Sequence, residues 1–175
     1  MTALRMRFHR TLVRAPNWLY RARLGWLLGH RFLMIEHRGR ITGLTRRTTL
    51  EVTRRGPGSE WVEVVAGFGA TTDWYRNAVA AGEVRVHLGT RQFTADVAEL
   101  DEGERLALLT DYQTNHPKSA AVLGTTVVRQ PFTGADHDLA ALARQLPALR
   151  LTNRQFRLDP APVLASTEAD DEPHP

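Results

Sequence analysis

The chain has 175 residues, a length that favours one domain, with 42% hydrophobic and 24% charged residues, an ordinary globular balance. It has no cysteine, which excludes disulfides, thiolate metal sites and a cysteine nucleophile. The net charge of +4 is unevenly carried: thirteen arginines lie between Arg5 and Arg55, against Glu36 and Glu51 alone, a skew that attracts anionic groups.

Leu4, Phe8, Leu12 and Val13 alternate with Arg7, Arg10 and Arg14 in the pattern of a short amphipathic helix over 3–14. Pro16 and Asn17 interrupt it and start a second helix over 18–29, apolar on most sides through Trp18, Leu19, Tyr20, Leu24 and Trp26. Arg21 and Arg23 break that run, so it falls short of the ~20 apolar residues that span a bilayer. No secretory leader is expected, since no apolar run ends in a small-residue cleavage site. A cytoplasmic location follows as the expectation, with peripheral contact at the inner membrane face through these helices.

From Phe32 the pattern turns to strands. Phe32–Glu36 is a compact apolar strand, 38–45 a glycine loop, Arg47–Arg54 a β-rich run, and Gly56–Ser59 a turn into the strand Trp61–Ala66. Gly67–Ala70 follows, and Thr72 or Asp73 caps a helix running to about Ala81. Val84–Leu88 and Arg91–Leu100 form a second hairpin around Gly89 and Thr90. The last third reads as helices from Asp101 to about Tyr112, Pro117 to about Val127 and Asp136 to about Gln145, then a short closing strand within 150–158. The proline-rich, acidic segment 161–175 reads as a disordered tail, leaving a single domain over 1–160. Strands arriving as hairpins, not as βαβ units, predict an α+β protein with an antiparallel barrel.

Two stretches carry chemistry. In Gly39-Arg40-Ile41-Thr42-Gly43-Leu44-Thr45-Arg46-Arg47-Thr48, the glycines permit a tight bend whose amide N–H groups can face an anion. Arg40 and either Arg46 or Arg47 add charge-assisted donors, and Thr42, Thr45 and Thr48 add hydroxyls. No Gly-Lys-Ser/Thr triplet ends the bend, so it is not a Walker loop. The same residues also suit an ordinary hairpin connection. In the second stretch, Ala66 to Asn77, small residues at a strand end lead into a helix N-terminus, where a flat ring can lie against backbone. Trp74 and Tyr75 can pack on an aromatic ligand or simply on the core, and Asn77 lies one turn beyond Asp73.

The order of these motifs resembles the deazaflavin-dependent nitroreductase family: apolar strand, Gly-Arg-x-Thr-Gly-x-x-Arg, hairpin, small-residue turn, Trp-Tyr-x-Asn helix and Val-x-Val strand. The resemblance covers about Phe32 to Tyr112. It implies a split β-barrel, a homodimer and the deazaflavin coenzyme F420, with FMN less favoured. It implies that Gly39, Arg40, Thr42, Gly43, Arg46 and Thr48 hold the anionic part of the cofactor. Gly67, Phe68, Gly69 and Ala70 would place backbone amides on its ring, flanked by Trp74 and Asn77. Ile41 and Phe68 stand where the family usually carries lysines, which makes the ring pocket more apolar.

The implied activity is hydride transfer from reduced F420 to a small organic acceptor such as a quinone, nitroaromatic or enone. The protein then supplies position and electrostatics. Tyr75 and Tyr112 are the expected donors to the acceptor oxygen that gains charge. The histidines show no metal-ligand spacing, and no metal is expected. The alternatives are an FMN- or haem-binding barrel, a non-catalytic deazaflavin carrier, and a membrane-surface module built on the N-terminal arginines, Trp18, Tyr20 and Trp26. Nucleic-acid binding ranks last, because the aromatics are not interleaved with the arginines.

Overall fold

A computed structural model describes residues 31–128 and 132–158. The helices expected over 3–14 and 18–29, and the tail from 161, lie outside them. Seven strands form one antiparallel sheet: β1 (Phe32–Arg38), β2 (Thr45–Glu51), β3 (Arg54–Arg55), β4 (Trp61–Val65), β5 (Glu83–Leu88), β6 (Arg91–Glu99) and β7 (Ala148–Asn153). Their order is β2-β1-β5-β6-β7-β4-β3. The helices are α1 (Asp73–Ala81), α2 (Glu102–Asn115), α3 (Pro117–Val128), α4 (Asp136–Gln145) and the short α5 (Arg154–Leu158).

The two edges of this sheet are one piece of chain. β2 pairs with β1, β3 pairs with β4, and only Val52 and Thr53 separate them. Val52 N–H donates to the Arg31 carbonyl on one side, and Thr53 N–H donates to the Glu63 carbonyl on the other. The run expected as a single strand over 47–54 therefore changes partner midway and curls the sheet into a barrel.

Period-2 alternation fills the interior. Leu33, Ile35, Val62, Val64, Val84, Val86, Leu88, Phe93, Ala95, Leu149 and Leu151 point inward and form one buried cluster. β1 runs on to Arg38, two residues beyond the expected Glu36, so the same alternation carries His37 inward and buries it. The closing strand begins at Ala148 and ends at Asn153, after which 154–158 is helical.

α1 ends at Gly82, which adopts φ +68° as its C-cap, a conformation that costs glycine little. A second cluster of Leu109, Leu139, Leu142, Ala143 and Leu146 joins α2 to α4 beside the barrel. α2 opens with a capping box: Asp101 accepts from Glu104 N–H, and the Glu104 carboxylate accepts from Asp101 N–H. Among the described residues, no helix is long and apolar enough to cross a membrane.

Candidate functional site

Cross-strand register sorts the residues of the glycine-arginine stretch. Leu33, Ile35 and His37 face Leu50, Thr48 and Arg46 across the β1–β2 ladder, on the inward side. Thr45, Arg47, Thr49 and Glu51 take the opposite face. There Arg47 is held by Glu36, with Nη2 to Oε1 at 2.6 Å. The pleat therefore puts Arg46 on the inward side and leaves Arg47 on the other face with Glu36. Arg46 makes no ion pair among the described residues and stands near the loop, with its Nε 3.6 Å from where a Cβ on Gly39 would lie.

The loop and the start of α1 meet. Asn77 Oδ1 accepts from Arg40 N–H at 3.0 Å and from Arg40 Nη1 at 3.1 Å, and Asp73 accepts from Arg40 Nη1 at 3.0 Å. Asn77 Nδ2 lies 3.1 Å from His37 Nδ1, and His37 Nε2 lies 3.2 Å from Thr48 Oγ1. Asn77 and His37 are both buried. Thus 37 to 48 and 73 to 77 are tied by one polar chain, although they are far apart in sequence. The His37 pKa is lowered, first by burial and then by the Arg46 guanidinium, with Asp73 acting in the opposite direction.

The backbone of the loop behaves differently from the sequence expectation. Gly39 N–H donates to the Leu44 carbonyl at 2.9 Å and Gly43 N–H to the Gly39 carbonyl at 2.7 Å. Arg40 N–H goes to Asn77, and Leu44 N–H to Thr42 Oγ1 at 3.4 Å. These four amides are consumed inside the fold, so the bend is not a nest of free N–H groups. Gly43 holds φ +65°, which the tight turn requires. Arg40, though expected as an anion ligand, is already paired with Asp73. Arg46, unlike Arg40, has no acid partner among the described residues.

The second stretch is a hydrogen-bonded turn. Gly69 N–H donates to the Ala66 carbonyl at 2.8 Å, and Thr72 Oγ1 donates back to the Gly69 carbonyl at 3.0 Å. Thr72 precedes α1 but gives it no side-chain cap. Gly69 sits at φ +83°, with open space where a Cβ would stand, whereas a Cβ on Gly67 would lie 3.2 Å from Leu123. The N–H groups of Phe68 and Ala70 meet no hydrogen-bond partner among the described residues. Phe68 is 65% exposed, and in the loop Ile41 is 86% and Leu44 62% exposed. Trp74 is half-buried against the barrel core, edge-on to Tyr75 with ring centroids 5.9 Å apart.

The two tyrosines lie elsewhere. The buried Tyr75 hydroxyl donates to Glu99 at the end of β6, and burial, then that bond, pushes its pKa up. The buried Tyr112 hydroxyl faces Glu51, with Ser119 and Arg31 nearby, and its pKa is raised first by burial and then by the Glu51 charge. The structure brings neither hydroxyl into the Arg40–Asn77–His37–Thr48 chain. His37, by contrast, belongs to that chain although it lies outside both motif stretches. Its signal was the alternation of β1 carried two residues further.

The arrangement offers an unpaired arginine, a threonine hydroxyl, unbonded amides and exposed apolar side chains beside a bare glycine. That set fits a flat molecule with an anionic end. Comparison with known proteins gives the chain its relatives. No curated protein matches it. Among solved structures it is similar to an F420-H2 dependent reductase (19% identity, 70% of this chain and 95% of that one, TM-score 0.49). It is also similar to a protein solved as a domain-swapped dimer (18% identity, 78% and 99%, TM-score 0.48). A third is a pyridoxamine 5'-phosphate oxidase-related, FMN-binding protein from Nostoc punctiforme (11% identity, 87% and 81%, TM-score 0.47). The family model described as F420H(2)-dependent quinone reductase matches residues 11–129, more than half of the chain. With a curled antiparallel split barrel and this family match, the chain belongs to the F420H(2)-dependent quinone reductases, oxidoreductases that work with coenzyme F420.

Proposed function

We propose that the chain binds F420 between the inward face of β2 and the Gly67–Ala70 turn, and uses it to reduce a quinone, nitroaromatic or enone. The observation that supports this most strongly is the triple link from Arg40 to Asp73 and Asn77, which draws the two motif segments to one place. The residues there fit the coenzyme. Arg46 offers charge with no acid partner among the described residues, and Gly69 leaves backbone uncovered where a ring would rest.

Reduced F420 supplies a hydride when bound. Arg46 would grip the anionic end, since a guanidinium matches phosphate oxygens with a planar pair of donors. Thr48 adds a hydroxyl on the same face of β2. The amides of Phe68 and Ala70 would orient the ring, and amide donors fixed in advance cost no reorganisation during reaction. Exposed Ile41, Leu44 and Phe68 would shed water when an apolar acceptor covers them. Asp73 and Asn77 would act through Arg40, by holding the loop.

Binding of oxidised F420, followed by fluorescence quenching, tests the site. Arg46→Ala should weaken binding roughly tenfold, the loss of one charge-assisted contact. Arg47→Ala, on the other face of β2 with Glu36, should change it little. Equal affinity in wild type and Arg46→Ala would remove the site from β2.

A further inference from the structure

The hydrogen bonds around Asn77 fix more than the loop. Its Oδ1 receives two N–H groups of Arg40, so the amide can point only one way. Nδ2 is then a donor aimed at His37 Nδ1, which must accept. The ring proton therefore sits on Nε2, from which it donates to Thr48 Oγ1. A hydroxyl that accepts from the ring must send its own proton elsewhere, and no other partner for Thr48 exists among the described residues.

We infer that His37 is a positioning residue for the F420 site: as a neutral Nε2–H imidazole it holds the Thr48 hydroxyl so that its proton is presented to an acceptor oxygen of the bound coenzyme. The inference rests on the proposed site on β2 and names the polarity of its contact there. Burial of His37 and the nearby Arg46 both favour the neutral ring. Asp73, on α1, is the opposing charge, and Arg40, in the loop, is neutralised by it. Protonation at Nδ1 would set two donors face to face and force Asn77 to release Arg40.

Two measurements test this. In the first, long-range proton–nitrogen NMR of the protein without coenzyme should show His37 as the Nε2–H tautomer at neutral pH. An Nδ1–H tautomer or an imidazolium overturns the inference, whatever binds. The second is a double-mutant cycle on affinity for oxidised F420. Thr48→Val should weaken binding roughly three- to tenfold, about one hydrogen bond, while Thr48→Ser restores it. His37→Asn keeps an acceptor for Asn77 but loses the reach to Thr48, and should cost about as much as Thr48→Val. The double variant should cost little more than either single one, since both break the same contact. Additive losses, or no rescue by serine, overturn the inference. Arg46→Ala separates the two claims. Unchanged affinity there condemns the site itself, whereas additivity in the cycle with a sensitive Arg46 condemns only the role of His37.

Discussion

Tyr75 and Tyr112 each meet a carboxylate, Glu99 and Glu51 respectively. A phenol has one proton, and a carboxylate is a better acceptor than a quinone oxygen. Stabilising charge on a reduced acceptor would require the tyrosine to abandon that partner in a buried setting. Tyr75→Phe and Tyr112→Phe are each expected to leave quinone turnover within a few-fold of wild type and to lower stability by about 0.5–1.5 kcal/mol, read by urea denaturation. A hundredfold fall in turnover with intact stability would restore a catalytic tyrosine. The residue types of the candidate site were legible in the sequence, because glycine, arginine and threonine in one bend suit an anion. Their partners were not. Arg40 lies 33 and 37 positions from Asp73 and Asn77, and only the packing of α1 on β1 makes them neighbours.

At the scale of the element, β1 is the strand that matters most. Its inward set ends in His37, and its outward set carries Glu36 beside His87 of the adjacent β5. Both imidazoles have pKa values lowered below the ordinary 6.5, in each case chiefly by burial. The unfolded chain then binds more protons than the folded one once pH drops below about 6.5, so stability is full above that value and falls as pH falls towards the lowered pKa values. The urea midpoint is expected to hold between pH 7 and 8 and to decrease from pH 6.5 to 5. His87→Gln should flatten that decrease. A midpoint that rises on acidification would show that these rings gain a proton on folding. Strand existence was readable from period-2 alternation, but the end of β1 was not. His37 and Arg38 look like loop composition until the ladder with Arg46 and Thr45 pairs them.

For the whole molecule, the curled sheet encloses the main hydrophobic core. Leu151 of β7 is fully buried and faces Val62 of β4 and Val97 of β6 in the two ladders. Leu151→Ala should cost about 2–5 kcal/mol, the range for a leucine deleted from a close-packed core, and denaturation followed by tryptophan fluorescence and by circular dichroism should coincide. Two separate transitions would mean that the barrel and the α2–α4 layer unfold independently. Hydrophobic periodicity and turn residues, which act over a few positions, were enough for the sequence to determine the β5–β6 hairpin, the helices from Asp73 to Gln145 and the antiparallel class, and its motifs were enough to point to a redox family. Three features came only with the tertiary structure: the partner switch at Val52–Thr53, the placement of Arg46 and Arg47 on opposite faces of β2, and the burial of His37 between Asn77 and Thr48. Each depends on which strand or helix lies alongside. Long-range pairing decides that, and no local pattern along the chain encodes it.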